Sequence, residues 1–405
     1  MDGDGLTVVG ASLAGLRAVE AARKAGYPGR VTLIGAEEHL PYDRPPLSKQ
    51  FLGAAEPADP VFRDERALRD ELGVELRLGQ AATAIDTRAR AIGLDGSEVP
   101  YEALVIATGA SARTVPGFER LEGACTLRTL DDARQVRRAL DAGARTVVIG
   151  AGFIGSEVAS SARARGLPVT LVEAAPVPLA RSVGSEMGKL LAELHVQAGT
   201  DLRLGVGVAG LDGDGAVRGV ILTDGTKVAA DLVVVGIGAS PGTGWLQDSG
   251  IDLDTRDGGV LCDSTLATSV PGVYAAGDVC HWVSELFGRR LRLEHWTSAA
   301  EQGALAARNA LAPETAKAYD TVPYFWSDWY DSRIQFVGEP AADEITVVDH
   351  QWEAGKLLAL YRTGDRLTGA LTVNRPALVM KFRRMIADRT SWSRAVEFGR
   401  EKTKP

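Results

Sequence analysis

The sequence predicts an α/β protein with two parallel-sheet domains and a small α+β domain at its C-terminal end. Three observations predict it. A short apolar strand runs into a glycine-bearing turn and a helix at 6–24, beginning LTVVGASLAG. The same order returns at 146–165, beginning TVVIGAGFIG. From about residue 319 the pattern changes to clustered aromatics and alternating apolar positions at 334–337, 345–350 and 357–362, which suit an antiparallel sheet with terminal helices.

Composition bounds the reading. A chain of 405 residues exceeds one hydrophobic core, so two or three domains are expected. Hydrophobic residues at 45% and charged residues at 24% are ordinary for a globular protein. The 46 glycines supply the tight turns that repeated βα units require. A net charge of −8 argues against nucleic-acid binding through the whole surface. Cys125, Cys262 and Cys280 are far apart and form no CxxC or CxxxxC pair, which removes a sequence-encoded redox dithiol. They read as ordinary thiols of a reducing compartment. No metal site is expected. The opening MDGDG lacks the basic and apolar segments of a leader, and no apolar run approaches a membrane span. The reading is a cytoplasmic protein with no membrane and no nucleic-acid partner.

In the first unit, Leu6, Val8 and Val9 form a buried strand. Gly10 permits the turn, and Leu13, Ala14 and Gly15 open a helix running to about Lys24. Such a turn aims backbone N–H groups and the positive end of a helix dipole at a pyrophosphate. The fingerprint asks for glycine where this chain has Ser12. A second strand at 31–35 leads to Glu37, the position of a carboxylate that holds a ribose diol, with Glu38 beside it as an alternative. The segment 40–49, LPYDRPPLSK, is shaped by prolines and carries Arg44 and Lys49. On sequence physics alone it reads as a surface loop. Strands follow at 74–78, 82–85 and 104–109, the last ending in Thr108-Gly109, and a helix at 130–142 carries Asp131 and Asp132 in its first turn.

The second copy is intact, with Gly150, Gly152 and Gly155 between strand and helix. Its next strand, 169–172, ends at Glu173. An acid there pairs with a free 2′-hydroxyl and repels a 2′-phosphate, which favours NADH over NADPH; Arg181 nearby works the other way. A strand at 232–238 reaches Gly238, and another at 273–278 ends in Gly277-Asp278. RLEHWTSAAEQG at 292–303 opens a helix. Two dinucleotide units in one chain imply two cofactors that exchange hydride, and FAD with NADH is the natural pair.

Several segments together carry a family resemblance. They are VVGASLAG at 8–15, PYDRPPLSK at 41–49, ATG at 107–109, LRTLDDA at 127–133 and VIGAGFIGSEVA at 148–159. They continue with AAGDVC at 275–280, EHWTSAAEQG at 294–303 and VPYFWSD at 322–328. With them the chain resembles the FAD-dependent NADH:ferredoxin reductases of bacterial oxygenase and cytochrome P450 systems. These are of the putidaredoxin reductase, rubredoxin reductase and biphenyl dioxygenase ferredoxin reductase type, in the pyridine nucleotide-disulfide oxidoreductase superfamily. The resemblance implies a glutathione-reductase-like fold. Its two Rossmann-like nucleotide-binding domains would be a discontinuous FAD domain at 1–109 and 242–318 and an NAD domain at 110–241. A small α+β domain would follow at 319–405.

The resemblance also implies roles. Gly10, Ser12, Leu13, Ala14 and Gly15 would hold the FAD pyrophosphate, with Glu37 on the ribose. Arg44 would face phosphate, Ala82 adenine, and Arg128 a polar part of FAD; Thr108, Gly109 and, at the close of the second nucleotide domain, Gly238 would also bind cofactor. Gly277 and Asp278 would meet the ribitol chain, and Glu294, His295, Trp296 and Trp326 the ring region. Gly150, Gly152, Phe153, Ile154, Gly155, Glu157, Glu173 and Arg181 would hold NADH. Lys49 and Glu157, from different domains, would meet at the flavin as the catalytic pair: a cation that stabilises reduced flavin and a carboxylate that offsets it. Trp329 departs from the family, which commonly has glutamine just after WSD; the departure bears on the flavin edge or the partner surface.

The implied activity passes electrons from NADH through FAD to a small acidic iron–sulfur ferredoxin, and indirectly to a cytochrome P450 or other oxygenase. Docking needs a local basic face. One candidate is Arg289, Arg290 and Arg292. Another is the tail, where Arg375, Lys381, Arg383, Arg384, Arg389, Arg394, Arg400, Lys402 and Lys404 face Asp388, Glu397 and Glu401. A solvated helix face is the alternative reading of the tail. Two other functions share the fold: a direct NADH oxidase or quinone-type reductase, and a redox scaffold resembling apoptosis-inducing factor. The branches that need a cysteine near the flavin are disfavoured, since 40–49 has none.

Overall fold

The strand Leu6–Val9 is paired on both edges and buried at every position, its side chains covered on both faces of the sheet. In the computed structural model, which describes residues 5–404, it is the centre of a five-stranded parallel sheet. Residues 1–4, where the absence of a leader is read, lie outside the described residues. The sheet order is Val273–Ala275, Ala103–Ile106, Leu6–Val9, Val31–Ile34, Val74–Arg77. In register, Leu6 faces Ala103 on one side and Val31 on the other. Continuous apolar strands suit a sheet covered on both faces, and these residues form one core with the helices. The helix Leu13–Lys24 lies against the helix Trp296–Leu311 so closely that a Cβ on Gly303 would stand 2.1 Å from the Ala14 carbonyl oxygen.

These elements belong to one of two units into which contacts divide the chain. This unit comprises the segment ending at Asp43, Pro60–Ser111 and Ser240–Pro323. It also contains a three-stranded antiparallel sheet of Ala84–Asp86, Ala91–Leu94 and Ser97–Pro100. The sequence reading expects only the first of these, as 82–85. The Asp95-Gly96 pair is the hairpin signal it passes over; Gly96 has φ +73°.

The other unit comprises Arg44–Asp59, Ala112–Ala239 and the chain from Tyr324. Its parallel sheet runs Asp201–Leu204, Val169–Glu173, Thr146–Ile149, Leu232–Val235, Ala124–Cys125. The helix Leu130–Asp141 starts at a capping box: the Asp132 N–H donates to Thr129 Oγ1 at 3.1 Å, and the Thr129 N–H donates to Asp132 Oδ2 at 3.2 Å. A five-stranded antiparallel sheet runs Tyr324–Trp329, Ser332–Gly338, Arg366–Val373, Lys356–Thr363, Glu344–Gln351. The helices Pro376–Ala387 and Trp392–Thr403 follow it. Three of its strands are expected near 334–337, 345–350 and 357–362. Arg366–Val373 and Tyr324–Trp329 are not, the latter because its dense aromatics hide the alternation.

The inner face of this sheet packs Phe325, Trp329, Phe336 and Tyr361 against Val183, Met187, Leu191 and Leu194 of the preceding helical segment. Tyr361 donates its hydroxyl to the Val183 carbonyl at 2.6 Å. His195 lies in the same layer with 0% exposure, its Nδ1 2.7 Å from the Tyr330 hydroxyl. Burial lowers its pKa to about 4. An unfolded histidine titrates near ~6.5, so below that pH the unfolded chain gains a proton that the folded chain refuses. Stability should therefore fall as pH drops from ~6.5 to ~4, by about 3 kcal/mol from this residue. Thermal unfolding across this range should show a flatter acid limb in His195→Gln than in the parent; equal slopes would remove His195 as the cause.

Candidate functional site

The two glycine turns share one backbone design. A Cβ on Gly15 would lie 1.9 Å from the Gly10 carbonyl oxygen, and one on Gly155 would lie 1.9 Å from that of Gly150. The helix start is thus pressed onto the turn by backbone contact. Gly10 and Gly150 have φ +120° and +100°, and a Cβ on either would strike the end of the neighbouring strand, at Ala107 and Gly236 respectively. Ser12 needs no such freedom. Its φ is −120°, and Gly152 at the matching place has φ −80° with only the Gly236 oxygen, at 3.9 Å, near an added Cβ. A side chain fits there, which is why the imperfect fingerprint still makes the turn. The first-turn N–H groups of both helices lack intrahelical acceptors, and that donor set fits a pyrophosphate.

In the first unit, the motifs of the family resemblance converge on this turn. Gly277, with φ +80°, lets its segment approach Ala14: a Cβ would meet that of Ala14 at 3.2 Å. Its N–H donates to Gln302 Oε1 at 2.8 Å. Gln302 and Gly303 thus tie the GD and EQG segments to the glycine-turn helix. Both escape residue-level reading, although the EQG motif contains them. Glu37 accepts from the Tyr42 hydroxyl at 2.6 Å. Trp296 donates its indole N–H to Asp43 Oδ1 at 2.8 Å, joining EHW to PYDRPP through an aspartate that sequence reasoning does not single out. Thr108 donates to the Gly242 carbonyl at 2.8 Å, and Gly109 has φ +65°. Ala82 packs half-buried on the core. Burial lowers the His295 pKa to about 4, with Asp278 opposing, so the ring is neutral at neutral pH.

Arg292 braces this region. Its Nε lies 2.7 Å from Asp257 Oδ2, and its Nη1 donates to the Asp278 carbonyl at 2.8 Å and reaches Glu294 at 2.9 Å. Arg290 donates to the Cys262 carbonyl. Of the candidate docking face Arg289, Arg290 and Arg292, the first two are exposed, whereas Arg292 is mostly covered and held by two carboxylates. Asp254, Asp257 and His281 stand close enough to share a metal ion. Asp257 is already paired with Arg292 and His281, and Asp254 with Arg256, so local cations balance these acids. Cys262 and Cys280, distant in sequence, are brought into thiol contact; burial and this neighbour push the Cys280 thiol up. All three cysteines are free.

In the second unit, Glu173 ends its strand and is held at the glycine turn. Its two oxygens accept from the Ala151 and Ala175 N–H groups, each at 2.8 Å. Arg181 is exposed on the short helix Ala180–Val183. Gly238 has φ +103°, and its carbonyl accepts from the Arg113 N–H at 3.0 Å. Phe153 turns its ring onto Phe325 at 4.6 Å, while Ile154 is 40% exposed at the helix start. The prolines of LPYDRPPLSK produce a 3₁₀ turn, Pro45–Ser48, and then a short helix, Gln50–Gly53. Arg44 donates to the Arg128 carbonyl at 2.5 Å, bringing those two expected residues together.

The same segment delivers Lys49 to Glu157. Their charged groups are 2.8 Å apart, within one unit, and Glu157 is 2% exposed. Ser48 Oγ donates to Glu157 Oε2 and Ser327 Oγ to Oε1, both at 2.5 Å. Lys49 also donates to the Pro45 carbonyl at 3.1 Å. Trp326 lies on the other face of its strand, stacked on Tyr324 with the Arg333 guanidinium 5.8 Å above its ring. Trp329, expected at a flavin edge or partner surface, is fully buried. In the tail, Asp388, Glu397 and Glu401 pair with Arg384, Arg394 and Lys402, and Arg375 pairs with Asp349; Lys381, Arg383 and Arg400 also lie on Pro376–Ala387 and Trp392–Thr403.

Comparison with known proteins places this architecture. Residues 5–303 match the pyridine nucleotide-disulphide oxidoreductase family, and residues 324–398 match the reductase C-terminal family. The chain belongs to the pyridine nucleotide-disulphide oxidoreductases, and it is an oxidoreductase of FAD and NAD(H). The anthranilate 1,2-dioxygenase system ferredoxin–NAD(+) reductase component of Burkholderia cepacia is 36% identical over 393 residues, covering 96% of this chain and 95% of its own. Rhodocoxin reductase of Rhodococcus erythropolis is 35% identical, covering 94% of this chain and 89% of its own. The covalent putidaredoxin reductase–putidaredoxin complex superposes with a TM-score of 0.90 at 32% identity, covering 95% of this chain and 93% of that one.

The turn geometry makes a contrasted prediction. Gly155→Ala forces a methyl into backbone and should cost more than about 2 kcal/mol, lowering the thermal midpoint sharply. Gly152→Ala should fold with a midpoint near the parent's, because its φ and surroundings accept a Cβ. Equal midpoints for the two variants would contradict the packing account.

Proposed function

We propose that the chain is an NADH-dependent ferredoxin reductase: electrons enter as hydride from NADH and leave singly to a small acidic iron–sulfur protein that serves a cytochrome P450 or other oxygenase. The observation that carries this is the presence of two glycine turns of one backbone design in a chain matched over 96% of its length by a ferredoxin–NAD(+) reductase component. Bound FAD supplies the conversion between the two-electron chemistry of nicotinamide and the one-electron chemistry of a cluster.

The residues divide the work. The turn at Gly10–Gly15, with Glu37 and the Gly277-Asp278 segment, retains FAD in a domain we assign to 1–109 and 242–318. The turn at Gly150–Gly155 and Glu173 receive NADH in a domain at 110–241, and residues 319–405 complete the protein. Glu173 recognises the adenosine diol and selects against a 2′-phosphate. Lys49 provides a fixed positive charge toward the ring system, and Glu157 holds it. Arg292 keeps Asp278 and Glu294 in register. The C-terminal helices supply the cationic face for the acidic partner, so partner reduction slows as salt rises. No helix among the described residues is long and apolar enough to cross a membrane, and we place the reaction in the cytoplasm.

The test is stopped-flow reduction of the FAD-loaded protein by NADH, followed by mixing with candidate ferredoxins. Rapid flavin bleaching and ferredoxin-dependent reoxidation are expected. NADH consumption sustained by oxygen and indifferent to every ferredoxin would overturn the reading. Glu173→Ala should weaken NADH binding about tenfold and narrow its advantage over NADPH, followed by titration of the oxidised enzyme. Unchanged affinities for both would remove Glu173 from the site.

A further inference from the structure

Glu157 lies almost completely inside the protein, and its two oxygens are served unequally. Oε2 receives Lys49 at 2.8 Å and the Ser48 hydroxyl at 2.5 Å. The donor recorded on Oε1 is the Ser327 hydroxyl, at 2.5 Å. A serine hydroxyl has one proton and can aim it at one acceptor only. What fixes that aim decides whether Oε1 is satisfied.

Trp329 fixes it. Its indole Nε1 donates to Ser327 Oγ at 2.8 Å. An indole N–H can only donate, so Ser327 accepts from the tryptophan and turns its own proton to Glu157. Strand alternation places both residues on one face: Phe325, Ser327 and Trp329 are the buried positions of Tyr324–Trp329. Two restraints fix the end of that strand, one on the helix bearing Glu157 and one on the helix Ser185–Gln197. The Tyr330 N–H donates to Ser160 Oγ at 2.6 Å, one turn along from Glu157. The Trp329 ring lies 4.7 Å from that of His195, whose Nδ1 is bonded to the Tyr330 hydroxyl.

We propose that Trp329 and Ser327 are positioning residues for the Lys49–Glu157 pair: a one-way chain of hydrogen bonds, Trp329 to Ser327 to Glu157, orients the carboxylate that holds the Lys49 ammonium. Donor-only groups close the network at both ends, Trp329 at one and Lys49 at the other, so Glu157 between them is required as an acceptor at both oxygens. The departure at Trp329 thereby has a role: it acts behind the ion pair instead of at a partner surface. This rests on the proposed place of Lys49 and Glu157 at the flavin.

The test uses the FAD-loaded protein and two readouts, the rate constant of flavin reduction by NADH and the midpoint potential of the bound flavin. Trp329→Phe keeps the ring and removes the N–H; Ser327→Ala removes the hydroxyl. Each should slow reduction about fivefold, the worth of one hydrogen bond, with NADH affinity little changed. Each should move the potential in the same direction as Glu157→Gln and by less. Neither should add more than about twofold in the Glu157→Gln background, because both act through that carboxylate. Trp329→Gln, which returns an N–H donor, should recover most of the loss. If Lys49→Ala and Glu157→Gln change both readouts while Trp329→Phe and Ser327→Ala change only the thermal midpoint, the relay is wrong and the pair's assignment stands. Effects that multiply with Glu157→Gln also overturn the relay. If neither Lys49→Ala nor Glu157→Gln moves either readout, the pair is not at the flavin and the relay falls with it.

Discussion

A carboxylate with 2% exposure must be met by donors or be lost as a charge, since an unpaired buried ion costs several kcal/mol. Glu157 is that group, and two stretches of chain distant in sequence are arranged to meet it on its helix. The proline-built turn at Pro45–Ser48 brings Ser48 and Lys49, the helix Phe153–Ala164 carries the acid, and the strand Tyr324–Trp329 brings Ser327. None of these contacts is local in sequence. The cost of burying the charge is offset only when all three are in place, so the carboxylate specifies how they assemble as much as it stabilises them.

The second constraint is backbone contact at the glycine turns. A helix can begin against the end of its strand only where no Cβ intervenes, at Gly15 on Gly10 and at Gly155 on Gly150. That contact points the first-turn N–H groups into the space beyond the strand ends. The middle position of the fingerprint obeys a different rule. It has an ordinary negative φ in both copies, so Ser12 leaves the turn intact.

Those parts governed by local rules were legible in the sequence. Most of the parallel strands, the two turn helices, the helix at Leu130 and the terminal acids follow from apolar runs, glycine spacing and first-turn acids, while the short strands Ala124–Cys125 and Asp201–Leu204 carry no such signal. What could not be read was set by tertiary pairing. Gly277 looks like any turn glycine until Ala14 is seen beneath it. Arg292 reads as one cation of a basic patch until Asp257, Glu294 and the Asp278 carbonyl are found around it. Cys262 and Cys280 carry no pairing signal in their spacing, because strand neighbours far apart in sequence bring them together. Trp329 stands out by its type, but only the fold shows that its N–H faces inward.

The two turns also differ in a way that bears on the separate tasks proposed for them. The first-turn residues of the helix Leu13–Lys24 are buried, and the helix Trp296–Leu311 is packed on it through Gly303. At the second helix, Ile154 leaves 40% of its surface in solvent at the matching place, while Phe153 is drawn toward the C-terminal sheet. A helix start packed firmly within its own unit is in keeping with the retained cofactor proposed for the first turn. A cradle with an apolar side chain at its lip suits a cofactor that comes and goes, since covering Ile154 favours binding without rearranging the core. The same turn can therefore serve retention in one copy and exchange in the other, and the difference lies in what surrounds the glycines.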